Sequence, residues 1–135
     1  MKRRQLTSLA LAAILSVTTI AATHEEATPS GEAWLGLIDG GKYGESWSES
    51  SALFRTQVAA QKWIEMIAAG RGPLGVIKSR KLKSIQFMTA VPGAPDGNYA
   101  LILFDSSFEH KANSIETLTL MEDAGKWRAA GYFIK

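Results

Sequence analysis

The chain of 135 residues contains no cysteine and only two histidines. The lack of cysteine excludes disulfides, thiol nucleophiles, thiolate metal ligands and a lipid-bearing cysteine. The histidines do not form the His-x-x-x-His spacing of a zinc site, because His24 lies near the N-terminus and His110 in a predicted turn. The sequence therefore predicts no metal site and no cofactor, and packing must stabilise the fold.

The first 22 residues have the pattern of a secretory signal peptide. A basic start at residues 2–4 is followed by the apolar run 6–20 and by the small residues Ala21 and Ala22. We therefore expect residues 1–22 to be cleaved, which would make the protein periplasmic or secreted in a bacterium, with no stable membrane anchor. The alternative is an uncleaved anchor, but the run is shorter than the about 20 apolar residues that span a bilayer.

Without this segment, the chain also has no large excess of basic over acidic residues. The chain has 15 Lys and Arg residues and 13 Asp and Glu residues. Three of the basic residues and none of the acidic ones lie in the predicted signal peptide, so the remainder holds 12 basic and 13 acidic residues. This balance gives no electrostatic reason to expect nucleic-acid binding.

Helical spacing dominates the first half of the remaining chain. Residues 23–29 are predicted to be a flexible leader to one domain over residues 30–135. Three helices are predicted: a first that begins at Thr28 and Pro29 and stops at Gly40, a short second one around Tyr43 and Trp47, and a third from Val58 to Ala69.

The pattern changes to alternation from Lys78 onward. It predicts four strands, over residues 78–91, 98–110, 114–122 and 127–134. Turn residues separate the strands, most densely in the run PGAPDG at 92–97, so consecutive strands should pair as hairpins. This order predicts an α+β fold in which N-terminal helices pack on a curved four-stranded antiparallel sheet.

Four segments carry a resemblance to a known family: WLGLIDGGKYGESW at 34–47, GPLGVIKSRKLKS at 72–84, PGAPDGNY at 92–99 and GKWRAAGYFIK at 125–135. In these segments the chain resembles DUF4019, a family of exported bacterial domains of unknown function. The resemblance implies a cystatin-like or nuclear-transport-factor-like cone, in which helices pack into a curled sheet. It implies no catalytic residues, and such cones include enzymes, carriers and dimerisation modules.

The strand over residues 98–110 is apolar on both faces in its first half. Tyr99, Leu101 and Leu103 share one face, and the alternate residues share the other. A strand of this kind is normally covered on both faces. We therefore expect Tyr99, Leu101 and Leu103 to contact a second copy of the chain or a periplasmic protein partner. The first hypothesis is thus an exported, non-enzymatic binding or interaction domain.

A second hypothesis is a cone-pocket enzyme or carrier that acts on a small hydrophobic molecule. The residues that could line such a pocket are Tyr43, Trp47, Trp63, Arg71, Arg80 and Asp105. Asp105 would be the base if it pointed inward, although pairing with Arg71 or Arg80 is the commoner outcome. Asp39 and Glu116 are the other candidate carboxylates. Aromatic residues at helical spacing belong more often to a core than to a pocket.

Two further motifs are better explained by structure than by ligand binding. Residues 70–75 match G-x-G-x-x-G, but a helix is predicted before them and a strand after them, which is the reverse of a dinucleotide site. The four cations from Lys78 to Lys83 could bind an anion, but a solvated strand that resists edge-to-edge pairing is the simpler explanation.

Overall fold

The structure of the protein is a computed structural model that describes residues 10, 12–14 and 20–135. Its helices are α1 (Ala27–Asp39), α2 (Tyr43–Ser48), α3 (Ala52–Gln57) and α4 (Ala60–Arg71), with 3-10 turns at His24–Glu26 and Gly72–Leu74. Its strands are β1 (Ile77–Met88), β2 (Tyr99–Phe108), β3 (Lys111–Asp123) and β4 (Lys126–Ile134). The predicted α+β class is confirmed.

The strands form one open antiparallel sheet in the order β1-β2-β3-β4, so each strand pairs with the next one in the chain. The inner face of the sheet, which packs on the helices, carries Ala100, Ile102 and Phe104 of β2, all fully buried. The core combines this face with apolar side chains of the helices and of β3: Trp34, Leu35, Ile38, Trp63, Ile67, Leu118 and Leu120. Burial of each large side chain contributes about 1.5–3 kcal/mol.

Helix α1 lies against the sheet along one stripe of small and large apolar residues. The helix begins at Ala27, two residues before Pro29, which was predicted to be its first residue. It starts earlier because the preceding 3-10 turn leads directly into it. At Gly31 an added Cβ would lie 3.0 Å from a methyl group of Leu118, so this glycine permits the close approach of helix and sheet. The helix ends at Asp39, directly before the predicted Gly40 stop.

Helix α3 was not predicted from the sequence. It has only six residues, and Phe54 is the only one that is buried, so it shows no apolar stripe. Its position is fixed by polar contacts: the Ser51 hydroxyl accepts a hydrogen bond from Phe54 N at 3.1 Å, and Ser51 N donates to Ala129 O at 2.8 Å. Helix α4 starts and ends two residues after its predicted bounds.

Irregularities in the strand ladder decide which side chains face the helices. The register of β1 with β2 shifts between Leu82 and Ser84, with Lys83 as the extra residue. A bulge reverses the alternation of side chains beyond it. Arg80 therefore shares the inner face with Ile85, although the two residues are five positions apart and regular alternation would separate them.

The described N-terminal segment packs on one end of the sheet. His24 stacks on Phe87 with ring centroids 3.7 Å apart, and Trp127 Nε1 donates a hydrogen bond to Thr23 O at 2.7 Å. The predicted signal peptide, residues 1–22, lies mostly outside the described residues. Among the helices of the described ranges, none has the length and apolar character needed to cross a membrane.

Candidate functional site

Charged and polar side chains meet between the helices and the inner face of the sheet. They come from the C-terminal ends of α1 and α4 and from all four strands. This ionic cluster consists of Asp39, Arg71, Arg80, Ser106, Glu116 and Tyr132. Two carboxylates lie opposite two guanidinium groups, so the formal charges of the cluster balance.

Glu116 lies at the centre of the cluster, and its side chain is fully buried. Arg80 donates from Nε to Oε1 at 2.7 Å and from Nη2 to Oε2 at 3.0 Å. Tyr132 donates its hydroxyl to Oε2 at 2.5 Å, and Ser106 donates its hydroxyl to Oε1. A buried carboxylate is tolerated only when it is paired and hydrogen-bonded, and these donors meet that condition for both oxygens.

Asp39 holds the other side of the Arg80 guanidinium group. Arg80 Nη1 donates to Oδ2 at 2.8 Å, and Nη2 donates to Oδ1 at 2.9 Å. A carboxylate at the C-terminal end of a helix is unfavourable beside the helix dipole, so the adjacent guanidinium groups offset a local cost. The planar fork of Arg80 thus joins carboxylates from two layers, which the single point charge of a lysine would not do.

Arg71 closes the cluster at the end of α4 and is 4% exposed. Its Nη1 donates to Gly75 O at 2.6 Å, its Nη2 lies 3.4 Å from Asp39 Oδ1, and its guanidinium carbon lies 4.6 Å from the centre of the Phe108 ring. Its Nε has no hydrogen-bond partner among the described residues. A buried N–H without an acceptor costs about 1–3 kcal/mol.

The surroundings shift the pKa values of two groups in the cluster further from neutral pH. Burial lowers the pKa of Arg80, but its hydrogen bonds to Asp39 and Glu116 and their charges outweigh this effect, and the net shift is upward. Burial raises the pKa of Tyr132 well above its usual range, and the charge of Glu116 raises it further. Neither group is therefore poised to exchange a proton near pH 7. The role that the contacts of the cluster do support is a link between the helices and the sheet.

The cluster contains two of the six predicted pocket residues, Arg71 and Arg80. Asp105 takes no part in it, because its side chain is 59% exposed on the opposite face of the sheet and lies 3.8 Å from Lys83 Nζ. The idea that Asp105 is the inward-facing carboxylate is therefore wrong. Glu116 is the carboxylate that points inward. The sequence carries a signal for this, since Glu116 and the core residue Leu118 are two positions apart in one strand and therefore share a face.

The predicted aromatic residues lie in the helical layer. Trp63 is buried, with its ring 5.1 Å from that of Phe54, and Tyr43 and Trp47 pack against the edge of the core. The indole donors and their acceptors are Trp34 with Ser46 O, Trp47 with Val58 O, Trp63 with Ser46 Oγ and Trp127 with Thr23 O. All four tryptophan N–H groups therefore bind acceptors within the protein.

The outer face of the sheet, turned away from the core, carries the predicted interface residues. Leu101 and Leu103 are half-buried there. Tyr99 shares their alternation but is only 2% exposed, and its hydroxyl donates to Pro95 O at 2.5 Å in the loop between β1 and β2. Tyr99 therefore offers almost no surface to a partner, because this loop folds back over it.

Cavities on the described surface include two that border the helical layer. The larger one, about 470 Å³, lies between α1, α2 and the start of β4, away from the ionic cluster. The smaller one, about 190 Å³, lies between α4 and the end of β4 and borders Arg71 and Tyr132. In the part of the chain that the structure describes, no group of three His, Asp or Glu side chains is arranged to hold a metal ion.

Residues 70–75 and His110 both lie where turns change the direction of the chain. The G-x-G-x-x-G run spans the end of α4 and the 3-10 turn Gly72–Leu74, so it ends a helix as expected. Its last member, Gly75, has φ +75° and approaches Glu109 closely. His110 lies exposed in the turn between β2 and β3, as its position predicted.

The comparisons with known proteins agree with the resemblance seen in the sequence. No curated protein matches the chain. Residues 30–132 match the family described as Protein of unknown function (DUF4019). The likeness to a cystatin-like or nuclear-transport-factor-like cone stays a prediction. Because the match covers most of the chain and nearly all of the α+β domain, the chain belongs to the DUF4019 family.

Proposed function

We propose that the protein is an exported, non-enzymatic interaction domain that pairs with a second copy of itself through the outer face of its sheet. The observation that carries this proposal is a pair of adjacent uncharged rows across the middle of that face. The register places Ser84, Leu103, Thr117 and Phe133 in one row, and Gln86, Leu101, Thr119 and Gly131 in the next.

Charged side chains occur in both rows that flank these two. One flanking row includes Lys81 and Asp105, and the other ends in Arg128 but is otherwise uncharged. An uncharged centre with a charged rim is typical of protein–protein interfaces. A contact between two copies across a two-fold axis would bury the centre and place the flanking rows at its edge, where their charged ends stay in contact with water.

Phe133 replaces Tyr99 as an anchor of this surface. It is 58% exposed, although Leu103 and Thr117 in the same row are partly covered. Full burial of a side chain of this size contributes about 1.5–3 kcal/mol. Together with Leu101 and Leu103, Phe133 makes the middle of the outer face more apolar than a solvated sheet face usually is.

The size of the surface predicts a weak dimer. Four strands spaced about 4.8 Å apart and four rows about 6.8 Å apart give a face of roughly 500 Å² per copy. The total of about 1,000 Å² is at the lower limit for a specific interface, so we expect a dissociation constant in the micromolar range.

Two further observations support export and a non-enzymatic role. The basic start, apolar run and small residues within 1–22 suit a signal peptide, and a domain without cysteine needs no oxidative folding after export. The four carboxylate oxygens of Asp39 and Glu116 all accept hydrogen bonds within the ionic cluster, so neither carboxylate is left to act as a base. The alternative, a carrier of a small hydrophobic molecule, rests on the smaller cavity.

The proposal is tested by sedimentation velocity of the purified protein over a micromolar to millimolar concentration series. The wild type should dimerise reversibly. The variant Leu101→Glu should remain monomeric, because it places a carboxylate in the uncharged centre. The matched control is Leu82→Glu, which makes the same change at a 47% exposed leucine on the inner-face side of β1.

The control variant should dimerise as the wild type does. A wild type that stays monomeric over the whole series would show that the outer face does not pair with itself. Equal weakening of the dimer by both substitutions would place the contact elsewhere.

A further inference from the structure

We infer that the C-terminal half of β4 binds an extended, uncharged segment of a partner protein. The segment pairs with this edge strand and places an apolar side chain in the smaller cavity, beside α4. This inference does not depend on self-association through the outer face. It rests on backbone groups that point away from the sheet, on an apolar cavity beside them, and on an edge sequence that does not oppose pairing.

The backbone of β4 has two residues whose hydrogen-bonding groups lie at the free edge. Lys135 and Ile115 exchange hydrogen bonds in both directions, at 2.9 and 3.0 Å. Because the direction of bonding alternates along an antiparallel strand, the N–H and C=O groups of Tyr132 and Ile134 point away from β3. Among the described residues, no backbone group outside the sheet bonds to any of these four groups. They have the spacing that an added strand requires.

The first half of β4 differs, because the protein itself covers that part of the edge. Ser51 N, in the link between α2 and α3, donates to Ala129 O at 2.8 Å. The register of β4 with β3 shifts directly after Ala129 and is regular from Gly131 to Ile134. The part of the edge that is open to a regular strand is therefore residues 131–134.

The two free edges of the sheet differ in their resistance to pairing. The other edge strand, β1, carries three lysines within residues 78–83, one of them at its bulge. Lysines and bulges are usual means of preventing an edge strand from pairing. Residues 131–134 of β4, Gly-Tyr-Phe-Ile, contain neither a charge nor a proline. This half of β4 is therefore the edge that can accept another strand.

The smaller cavity lies directly beside this open edge. The face of α4 that carries Trp63, Met66 and Ile67 forms one wall, and residues 132–134 form the other. Met66 and Phe133 are 52% and 58% exposed, so the apolar surface continues to the mouth of the cavity. The volume of about 190 Å³ exceeds the about 150 Å³ of an apolar cavity that holds benzene. It therefore has room for one phenylalanine or leucine side chain.

The pairing decides where the side chains of an added strand point. A residue opposite Tyr132 or Ile134 lies on the inner-face side of the sheet, as those two residues do, and faces the cavity. The residue between them lies opposite Phe133, on the outer face. The segment that fits therefore has consecutive apolar residues, with a large side chain at one of the two inner positions.

The charges of the cavity select an uncharged segment. Among the described residues that line it, Arg71 is the one that carries a charge. Both terminal nitrogens of Arg71 are already directed at Gly75 O and Asp39 Oδ1. A charged side chain of the partner would therefore be buried without an opposite charge, which is unfavourable.

The position of α4 selects a separate segment over the same edge of a second copy. Two copies paired through β4 across a two-fold axis would bring both α4 helices beside the same pair of strands. Neighbouring strands lie about 4.8 Å apart, whereas packed helices need about 8–10 Å between their axes, so the two helices would crowd each other. A segment that has no helix of its own meets no such obstacle.

The test uses the acetylated and amidated peptide KSFVLSK as the probe. Its phenylalanine and leucine are the inner residues, its valine is the outer one, and its lysines keep it in solution. The peptide is titrated into the purified wild type and into Leu101→Glu, and dissociation constants are obtained from the shifts of backbone amide signals in β4 and α4. Equal binding to both proteins is expected, because the outer-face contact takes no part.

Two methylated forms of the peptide test the backbone pairing. Methyl groups on the amide nitrogens of its phenylalanine and leucine remove the donors that face β4, whereas a methyl group on the amide nitrogen of its valine changes a donor that faces away. The first form should bind about tenfold more weakly or worse, because two hydrogen bonds are lost. The second form should bind as the unmodified peptide does.

Variants of the protein test the edge and the cavity separately. Ile134→Pro removes an N–H that points away from β3, which an edge strand tolerates, and Ile134→Ala is its control because it keeps that N–H. At Gly70, which lines the cavity, an added Cβ meets no atom within 4 Å, so Gly70→Leu can fill the cavity. The same is true of Gly36 in α1, outside the lining, so Gly36→Leu is the control. Binding should be weaker in Ile134→Pro than in Ile134→Ala, and lost in Gly70→Leu alone of the glycine variants.

Several results would overturn the inference. Absence of peptide binding to the wild type, or equal binding of the peptide methylated at phenylalanine and leucine, would show that β4 does not pair with an added strand. Equal binding by Gly70→Leu and the wild type would exclude the cavity. A dimer that persists in Leu101→Glu and is lost in Ile134→Pro would assign the edge to a second copy. If Ile134→Pro does not fold, the methylated peptides still decide whether the backbone pairs.

Discussion

Replacement of Glu116 by glutamine should destabilise the protein strongly, although the two side chains have nearly the same shape. Glu116 is fully buried, and both of its oxygens accept hydrogen bonds from Arg80. The glutamine amide would turn one of these acceptors into an NH₂ donor that faces a guanidinium group, which cannot accept. Loss of one partner of a buried ion pair costs about 3–5 kcal/mol.

The matched control is Asp39→Asn, which makes the same chemical change at the other carboxylate bound to Arg80. The Asp39 side chain is 18% exposed, so water can solvate part of what the substitution leaves unpaired. We expect a cost of about 1.5–3 kcal/mol for this variant, in the range of a lost hydrogen bond to a charged group.

The assay is urea denaturation followed by tryptophan fluorescence and by circular dichroism. The free energy of unfolding and the slope with denaturant are compared for the wild type, Glu116→Gln, Asp39→Asn, Arg80→Met and the double variant Arg80→Met with Glu116→Gln. The double variant should cost less than the sum of the single variants, because the two residues are directly paired. A loss of less than about 1 kcal/mol for Glu116→Gln, with an unchanged slope, would refute the account of the cluster.

Two further predictions concern Tyr132 and Gly75. Because the pKa of Tyr132 is raised above its unfolded value of about 10, its proton stabilises the native state below that pH. Stability should therefore fall above it by up to about 1.4 kcal/mol per pH unit, and Tyr132→Phe should reduce this fall in urea titrations; equal slopes would contradict the prediction. Gly75→Ala should cost about 1–3 kcal/mol, because φ is +75° and the new Cβ would lie 2.8 Å from Glu109 Oε2. Gly36→Ala, in an open helical position, should instead stabilise by about 0.5–1 kcal/mol, so thermal melting points that move in the same direction would refute the comparison.

The sequence was sufficient to predict the class of the fold and the order of its elements, with the exception of the short helix α3. The apolar residues change from helical spacing to alternation where the helices end and the strands begin. The turn-forming residues PGAPDG at 92–97 then predict a hairpin between the first two strands. The inner face of β2 was also predicted correctly, since Ala100, Ile102 and Phe104 all lie in the core, while contact of its outer face with a partner stays a prediction. These features follow from local chemistry, which is why one sequence suffices for them.

The ionic cluster was only partly predictable, for a reason that can be traced to β1. In a strand with regular alternation, the side chain of Arg80 would lie on the face opposite to that of Ile85 and Phe87. The extra residue Lys83 reverses the alternation and turns Arg80 inward, and no residue type near Lys83 announces a bulge. The alternation of β2 already places Asp105 on the outer face with Leu101 and Leu103, so a position in the middle of a strand was no reason to expect it to point inward, whereas the alternation of β3 places Glu116 on the inner face with Leu118.

Because the bulge in β1 sets the direction of Arg80, the ionic cluster favours one register of β1 against β2 and also stabilises the fold. Apolar packing is not directional, so a strand that slips by one residue can still bury part of its apolar surface. The guanidinium fork of Arg80 does not tolerate such a slip, because Arg80 would turn to the outer face and leave Glu116 buried without its partner. That loss would cost several kcal/mol, which is comparable to a large part of the stability of a domain of this size. In a chain with no disulfide to fix its strands, the paired carboxylates of α1 and β3 therefore select one alignment of β1 among those that its apolar residues would allow.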